Sequence, residues 1–251
     1  MVQKYFTQLV KKTQLTETVW FLKFSLINPS VLDFVAGQFM VLKPNENTSR
    51  SYSILNPDFK KDYVDFVVHL VPDGIASNYF RDLKEGDRVE FMGPAGVFTL
   101  RDTTREKIFL ATGTGVAPIW SMLASHYKKI KDNIHPDDSK FTIFWGIEYK
   151  RDTYLVNWFD DLASQWQNLN YRVCLSRETD FSDLPPYYLS GRVNSNLIEF
   201  LHGDKERLVV DAEKAKQFDY YICGGREVVE SLRQFVAGLG VPKEQIYFER
   251  F

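Results

Sequence analysis

The segment Lys107–Pro118, KIFLATGTGVAP, constrains the fold of this chain more than any other stretch. An apolar strand runs directly into Gly113-Thr114-Gly115, and the residues that follow, Val116–Ile130, have the spacing of an amphipathic helix. At such a junction the free backbone N–H groups and the helix dipole converge on one spot, which suits a pyrophosphate. Gly113 and Gly115 would let a ligand approach without meeting a Cβ, with Thr114 and Val116 supplying backbone beside them. Pro118 stands where a dinucleotide fingerprint has its third glycine, and a first-turn proline is tolerated because that N–H has no helical partner. The turn alone is equally consistent with a tight strand-to-helix connection that binds nothing. No acidic ribose ligand stands at the usual fingerprint spacing, so a standard Rossmann NAD site fits poorly.

The flanking chain reads in two different grammars. Thr18–Leu26, Gln38–Lys43, Ser51–Leu55, Val64–Val71 and Arg88–Met92 read as short strands bounded by Pro, Gly, Asn and Asp, interrupted by one short helix near Ile75–Leu83. Strands at this spacing predict a closed antiparallel barrel. After about Thr104, strands at Lys107–Thr112, Phe141–Trp145, Tyr171–Ser176, Phe218–Cys223 and Ile246–Phe248 alternate with helices at Val116–Ile130, Thr153–Gln165, Arg192–Leu201 and Arg226–Gly238. That alternation predicts a parallel sheet covered by helices. The expected architecture is two-domain, a barrel over residues 1–103 and an α/β domain over 104–251, joined by the charged link Arg101–Glu106.

Composition excludes several function classes. Lys+Arg and Asp+Glu balance at 31 and 33 over the chain, and 12 of each fall before residue 104, so neither half has the basic footprint of a nucleic-acid binder. Two cysteines, Cys174 and Cys223, cannot build a zinc site or an iron–sulfur cluster by themselves, and His69, His126, His135 and His202 lack metal-ligand spacing. No metal is expected. The N-terminal MVQKYFTQLVKK has no apolar signal core, and no run of about 18 apolar residues occurs. A reduced cytoplasm is the expected compartment, with no membrane contact. There is no Gly-X-Ser-X-Gly elbow and no Walker lysine.

Taken in order, the motifs resemble the ferredoxin–NADP reductase family, whose members pair an FAD-binding barrel with an NAD(P)-binding α/β domain. The likeness covers nearly the whole chain and looks closest to the compact bacterial ferredoxin/flavodoxin–NADP reductases. Arg50-Ser51-Tyr52-Ser53 matches the family's Arg-X-Tyr-Ser flavin signature. By that resemblance Arg50 would pair with the FAD pyrophosphate, Tyr52 would stack on the isoalloxazine ring, and Ser53 would hydrogen-bond near flavin N5. His69-Leu70-Val71 sits where the family's strand passes the flavin, mostly through backbone contacts. Gly74-Ile75-Ala76-Ser77 resembles the Gly-X-X-Ser step, in which a helix start, with Gly74, Ala76 and Ser77, meets the FAD phosphates. Gly93–Phe98 resembles a family turn and is read as architecture.

In the second half, Ser176, Arg177 and Arg192 resemble positions that hold the 2′-phosphate of NADP, which assigns NADP(H) ahead of NADH. Cys223-Gly224-Gly225 resembles the family's Cys-Gly step beside the nicotinamide. The ending Tyr247-Phe248-Glu249-Arg250-Phe251 resembles a Glu-X-aromatic finish in which the terminal ring covers the flavin and the glutamate lies near the reacting atoms. Phe251 replaces the usual Tyr or Trp. The resemblance therefore implies FAD-dependent hydride transfer with Ser53, Cys223 and Glu249 as catalytic residues, and single-electron exchange with ferredoxin or flavodoxin. A monomer is expected. The alternatives are an NADH-dependent reductase component of a multicomponent oxygenase, a flavin electron-transfer subunit, and a non-enzymatic flavin-binding module.

Overall fold

In strands such as 3–14, 39–45 and 88–95, side chains turn alternately inward and outward, and the inward set is almost wholly apolar. The protein is described by a computed structural model that covers residues 3–202 and 210–251. It divides into two units, Met1–Arg101 with Ala117–Ile134, and Asp102–Val116 with His135–Phe251.

In the first unit, strands β1 (Gln3–Gln14), β2 (Val19–Asn28), β3 (Phe39–Asn45), β4 (Thr48–Ser53), β5 (Tyr63–His69) and β6 (Arg88–Ala95) form one antiparallel sheet in the order β4-β3-β6-β1-β2-β5. The end strands β4 and β5 approach through Leu55, whose N–H donates to the Asp65 carbonyl at 2.9 Å. The sheet thus curls into an antiparallel half-barrel, with its end strands bridged beyond β4 rather than paired in the closed ladder expected from the sequence. Its interior is filled by period-2 sets such as Leu22 and Phe24, Val64, Phe66 and Val68, and Val89 and Phe91. Phe24, Phe66 and Phe91 meet with centroids 5.0–6.0 Å apart. Burying each ring contributes roughly 1.5–3 kcal/mol.

Helix α1 (Ile75–Asp82) closes one side with Phe80, and helix α2 (Val116–Lys131) lies against the 56–58 segment. There Ser121 Oγ donates to the Asn56 carbonyl at 2.7 Å, and the Asp58 N–H donates to Ser125 Oγ at 2.9 Å.

The sequence reading did not anticipate β1, the strand flanked by β2 and β6 near the middle of the sheet. Its inward row is Tyr5, Thr7 and Leu9, and the polar member is satisfied because Thr7 Oγ1 donates to the Val89 carbonyl at 2.9 Å. Strand β5 also ends earlier than expected. The Leu70 N–H is taken by the Thr18 carbonyl at 2.8 Å, and the Val71 N–H by Ser77 Oγ at 3.0 Å.

The second unit holds a parallel sheet of β7 (Glu106–Thr112), β8 (Phe141–Ile147), β9 (Leu169–Leu175), β10 (Tyr188–Ser190), β11 (Phe218–Gly224) and β12 (Ile246–Arg250), in the order β10-β9-β8-β7-β11-β12. Strands β7, β8 and β11 are nearly continuous buried runs, as a sheet covered on both faces requires. One face packs Ile108, Leu110, Tyr220 and Ile222 against helices α4 (Val193–Leu201) and α6 (Arg226–Gly238). The other carries a row of rings across the sheet, Tyr247–Tyr221–Phe109, with neighbouring centroids 4.9 Å apart. Helix α3 (Val156–Gln165) and the one-turn helix α5 (Ala212–Ala215) complete the unit. Helix α3 starts later than the sequence suggested, because a 3-10 turn at Lys150–Asp152 and a left-handed Leu155 (φ 56°) precede it.

The chain leaves β7 toward β8, β9 and β10, then returns to lay β11 on the opposite side of β7. Strand order therefore reverses between β7 and β11. In an open parallel sheet, ligands bind outside the carboxyl ends of the strands at that point.

Candidate functional site

Three glycines shape the reversal point. After β7, Gly113–Gly115 forms a single 3-10 turn leading into α2. A Cβ on Gly115 would collide with the carbonyl of Cys223, at the end of β11. A Cβ on Gly224 would in turn collide with Thr112 Oγ1, at the end of β7. The two strand ends interlock, and only hydrogen fits at either glycine. Gly113 is different: its φ is +52°, and a Cβ there would meet nothing within 4 Å. Gly115 thus serves strand packing, while the open backbone lies at Gly113 and also at Gly225, where a Cβ would likewise meet no protein atom.

The Gly113 carbonyl accepts from the buried Trp145 indole N–H at 2.9 Å, which fixes the turn to the end of β8. Thr112 and Trp145 were not singled out from sequence. A Trp ending a core strand and needing a partner for its N–H was the available signal.

At the same strand ends the structure gathers Cys223, Gly224, Gly225, Glu249 and Phe251. Cys223 pairs in register with Glu249, and Gly224 with Arg250. The Phe251 N–H donates to the Gly224 carbonyl at 3.2 Å, and its own carbonyl accepts from the Arg226 N–H at 3.2 Å. The Phe251 ring is half exposed. Helix α6 starts at Gly225 with no side-chain cap. Cys223 is buried and not in a disulfide. Burial, and secondarily the Glu249 carboxylate, push its thiol well above the ordinary value, so it is protonated at neutral pH and is not a thiolate nucleophile.

Ser176, Arg177 and Arg192 also come together. Leu175 and Ser190 are register partners at the ends of β9 and β10, and the Gly191 N–H donates to the Leu175 carbonyl at 3.0 Å. The residues just beyond, Ser176 and Arg177 on one strand and Arg192 on the other, leave the sheet side by side. Backbone bonds from Ser176 to Ile147 and from Arg177 to Glu148, both 3.0 Å, tie this edge to the end of β8. Glu178 reaches across to accept from the Lys150 N–H at 3.1 Å, and bonds of this kind hold its carboxyl below the usual range.

In the first unit, Arg50 and Tyr52 lie on one face of β4, opposite Leu42 and Met40 of β3, and Ser51 and Ser53 lie on the other. The Tyr52 ring meets Phe80 of α1 at 5.0 Å and Phe66 at 6.2 Å, both edge-on, which brings β4 beside α1. Burial pushes the Tyr52 hydroxyl up to about 12, against the opposing effect of Arg50. Arg50 is exposed, and its guanidinium donates to the Ser49 carbonyl at 2.8 Å.

Helix α1 begins after Gly74 with no side-chain cap, so its first-turn N–H groups face outward without partners in the helix. Ser77 is buried and its Oγ is engaged by Val71, while Ala76 is buried beside it. Because the Leu70 and Val71 N–H groups are already bonded, and the Val71 carbonyl accepts from the Gly74 N–H at 3.4 Å, a ligand passing this stretch would find the carbonyls of His69 and Leu70.

These features fit two cofactors. An uncapped helix start and an exposed guanidinium on the adjoining strand form a donor set for the diphosphate of FAD. The open backbone at Gly113 and Gly225, where protein leaves room for more than hydrogen, suits a dinucleotide at the reversal point. Among the described residues, no group of three or more His, Cys, Asp or Glu side chains could hold a metal ion. No described helix is long and apolar enough to cross a membrane.

Comparison with known proteins agrees with this geometry. The family model of the oxidoreductase FAD-binding domain matches residues 7–100, and that of the oxidoreductase NAD-binding domain matches residues 109–234. The chain is 29% identical over 220 residues to the reductase component 1 of terephthalate 1,2-dioxygenase from a Comamonas species, covering 87% of this chain and 59% of that protein. It is 27% identical over 242 residues to the toluate 1,2-dioxygenase electron transfer component of Pseudomonas putida, covering 95% and 65%. It thus spans about three fifths of the length of these curated relatives. A ferredoxin NADP+ reductase from Neisseria gonorrhoeae, solved with bound FAD and NADP, shares the fold with a TM-score of 0.78 at 20% identity, over 98% of both chains. The chain belongs to the ferredoxin–NADP reductase family and is an FAD- and NAD(P)-binding oxidoreductase.

Proposed function

We propose that this chain accepts a hydride from NADPH, and less effectively from NADH, and passes the electrons singly to a separate ferredoxin or flavodoxin. The observation that carries the reading is the convergence of Cys223, Glu249 and Phe251 on the glycine-lined reversal point of the parallel sheet. FAD, when bound, supplies the two-electron to one-electron conversion that no side chain provides.

The residues have the following roles in this reading, with residues 1–103 as the flavin-binding part and 104–251 as the nicotinamide-binding part. Arg50 and the α1 start at Gly74, Ala76 and Ser77 hold the FAD diphosphate, Tyr52 flanks the flavin ring, and Ser53 donates a hydrogen bond to it. The carbonyls of His69 and Leu70, with the backbone of Val71 beside them, line its edge. Gly113, Thr114, Gly115, Val116 and Pro118 form the turn that receives the nicotinamide nucleotide, opposite Gly224 and Gly225. Ser176, Arg177 and Arg192 receive its 2′-phosphate. Cys223 offers a small, protonated and polarisable surface to the nicotinamide, and Glu249 sets the local charge. The Phe251 ring excludes water from the flavin until the nicotinamide displaces it.

A second reading, an NADH-dependent reductase component of a multicomponent oxygenase, is favoured by the dioxygenase reductases among the relatives. The test is a visible spectrum of protein purified with or reconstituted with FAD, then anaerobic reduction by each coenzyme, then electron delivery to ferredoxin, flavodoxin and an artificial dye. Failure to bind FAD would overturn both readings. Dye reduction with no transfer to ferredoxin or flavodoxin would favour the second.

A further inference from the structure

Glu148 follows the last residue of β8, at the sheet edge where Ser176, Arg177 and Arg192 meet. Its carboxylate lies 3.2 Å from the Arg177 guanidinium, and its carbonyl accepts from the Arg177 N–H at 3.0 Å. One residue therefore grips Arg177 through both backbone and side chain. The other charged groups of this edge are arranged differently. Glu178 is spent on the backbone N–H groups of Lys150 and Thr179. Lys150 lies 5.2 Å above the Tyr188 ring, and Arg151 lies 4.3 Å above the Tyr149 ring. Arg192 is exposed and has no carboxylate partner among the described residues.

Of the two arginines available to a 2′-phosphate, one thus already faces a carboxylate, in an exposed ion pair at the same strand-end edge. A phosphate entering here must displace or face a negative charge within a few ångströms of its own, which costs affinity. A ribose bearing a free 2′-hydroxyl meets the opposite situation. A carboxylate at a strand's carboxyl end accepts hydrogen bonds from ribose hydroxyls.

We infer that Glu148 is the residue that sets coenzyme preference in this chain: by holding Arg177 it weakens recognition of the 2′-phosphate and so lets NADH compete with NADPH. The inference rests on the assignment of Ser176, Arg177 and Arg192 to the 2′-phosphate. Glu148 does not touch the reacting atoms, so it alters which nucleotide is bound and leaves the hydride step as it is.

The experiment uses the FAD-loaded protein and measures binding of 2′-phospho-AMP and 5′-AMP by calorimetry, alongside kcat and KM with NADPH and NADH. In Glu148→Gln the charge is lost and the shape kept. Affinity for 2′-phospho-AMP should rise about twofold to fivefold, as expected for removing one exposed like charge. Affinity for 5′-AMP should stay level or fall, and the kinetic change should appear in KM for NADPH with kcat unaltered. Glu148→Lys should carry the shift further. If Glu148→Gln leaves the ratio of the two affinities unchanged while Arg177→Ala and Arg192→Ala lower it, Glu148 is not the determinant and the phosphate assignment stands. If none of the three variants changes the ratio, the phosphate assignment itself falls, and the inference with it. Equal melting temperatures for Glu148→Gln and the parent protein verify that a surface substitution has not disturbed the sheet edge.

Discussion

Cys223 and Glu249 stand opposite each other in the parallel β11–β12 ladder, the thiol buried and the glutamate partly buried on the edge strand. Burial and this carboxylate both disfavour the thiolate, so its pKa lies above the ordinary value and thiolate is scarcer than in free cysteine at every pH below it. Cys174 is likewise pushed up, to about 12. Neither thiol should react with an aromatic disulfide reagent in the native protein at pH 8. Both should react once urea unfolds the chain. A fast native reaction would remove the protonated-thiol description.

The glycines of the reversal point should separate packing from binding. Gly115→Ala and Gly224→Ala force a Cβ onto Cys223 and Thr112, respectively, and each should lose about 1–3 kcal/mol of stability in denaturant melts. Gly225→Ala adds a Cβ in open space with a backbone (φ −62°) that alanine adopts readily. It should melt like the parent and bind NAD(P)H more weakly. Equal binding by Gly225→Ala would show that the open backbone there is not used.

Tyr52 divides its ring between Phe80 and Phe66 and has a hydroxyl that burial keeps neutral. Tyr52→Phe should hold FAD within about threefold of the parent, because the proposed contact is made by the ring, whereas Tyr52→Ala should weaken FAD by about tenfold or more. Flavin fluorescence on dilution measures both. Comparable losses in the two variants would move the role from the ring to the hydroxyl.

Asp65 gives the barrel a pH dependence. Burial raises its carboxyl to about 7, with Lys23, its cross-strand partner, opposing the shift, and Oδ1 has no hydrogen-bond partner. The folded protein therefore holds a proton that the unfolded chain gives up near pH 4. Stability is greatest below that point and falls as pH rises from about 4 to about 7, by an amount on the order of a few kcal/mol. Asp65→Asn should flatten that slope and be the more stable protein at pH 8, with little difference at pH 4. Urea melts at the two pH values decide it, and parallel profiles would exclude Asp65 as the source.

Phe251 is held by two backbone bonds that a side-chain change leaves in place. Phe251→Ser should lower KM for nicotinamide coenzymes and narrow the difference between NADPH and NADH if the ring competes with nicotinamide. Kinetics identical to the parent with both coenzymes would end the shielding proposal.

How far these features could be read before the structure depended on whether their cause was local. The Gly113–Pro118 turn was legible because strand, glycine and helix follow one another in the chain. Most strands of both sheets were legible from runs such as Val64–Val68 and Lys107–Thr112. Strand β10, three residues long, and helix α5, four residues long, carry too little pattern to register. The Trp145–Gly113 hydrogen bond, the close approach of Thr112 to Gly224 and the Glu148–Arg177 pair are tertiary, joining residues 29 to 112 positions apart, and no spacing rule announces them. Strand β1 escaped because its inward row includes a threonine, and because a register shift between Leu9 and Lys11 breaks the alternation.

The same strand has a consequence during synthesis. Thr7 waits for Val89, 82 residues later, before its hydroxyl is satisfied and the strand gains its second neighbour. At roughly 5–20 residues per second, a ribosome takes on the order of ten seconds to deliver that partner. Through that interval β1 presents a long open edge, the kind that pairs with other chains. Lys4, Lys11 and Lys12 give the waiting strand a positive charge that repels another copy of itself. Lysines on an open edge are of the kind that discourage pairing with another chain, and β1 has three of them through the interval before β6 arrives.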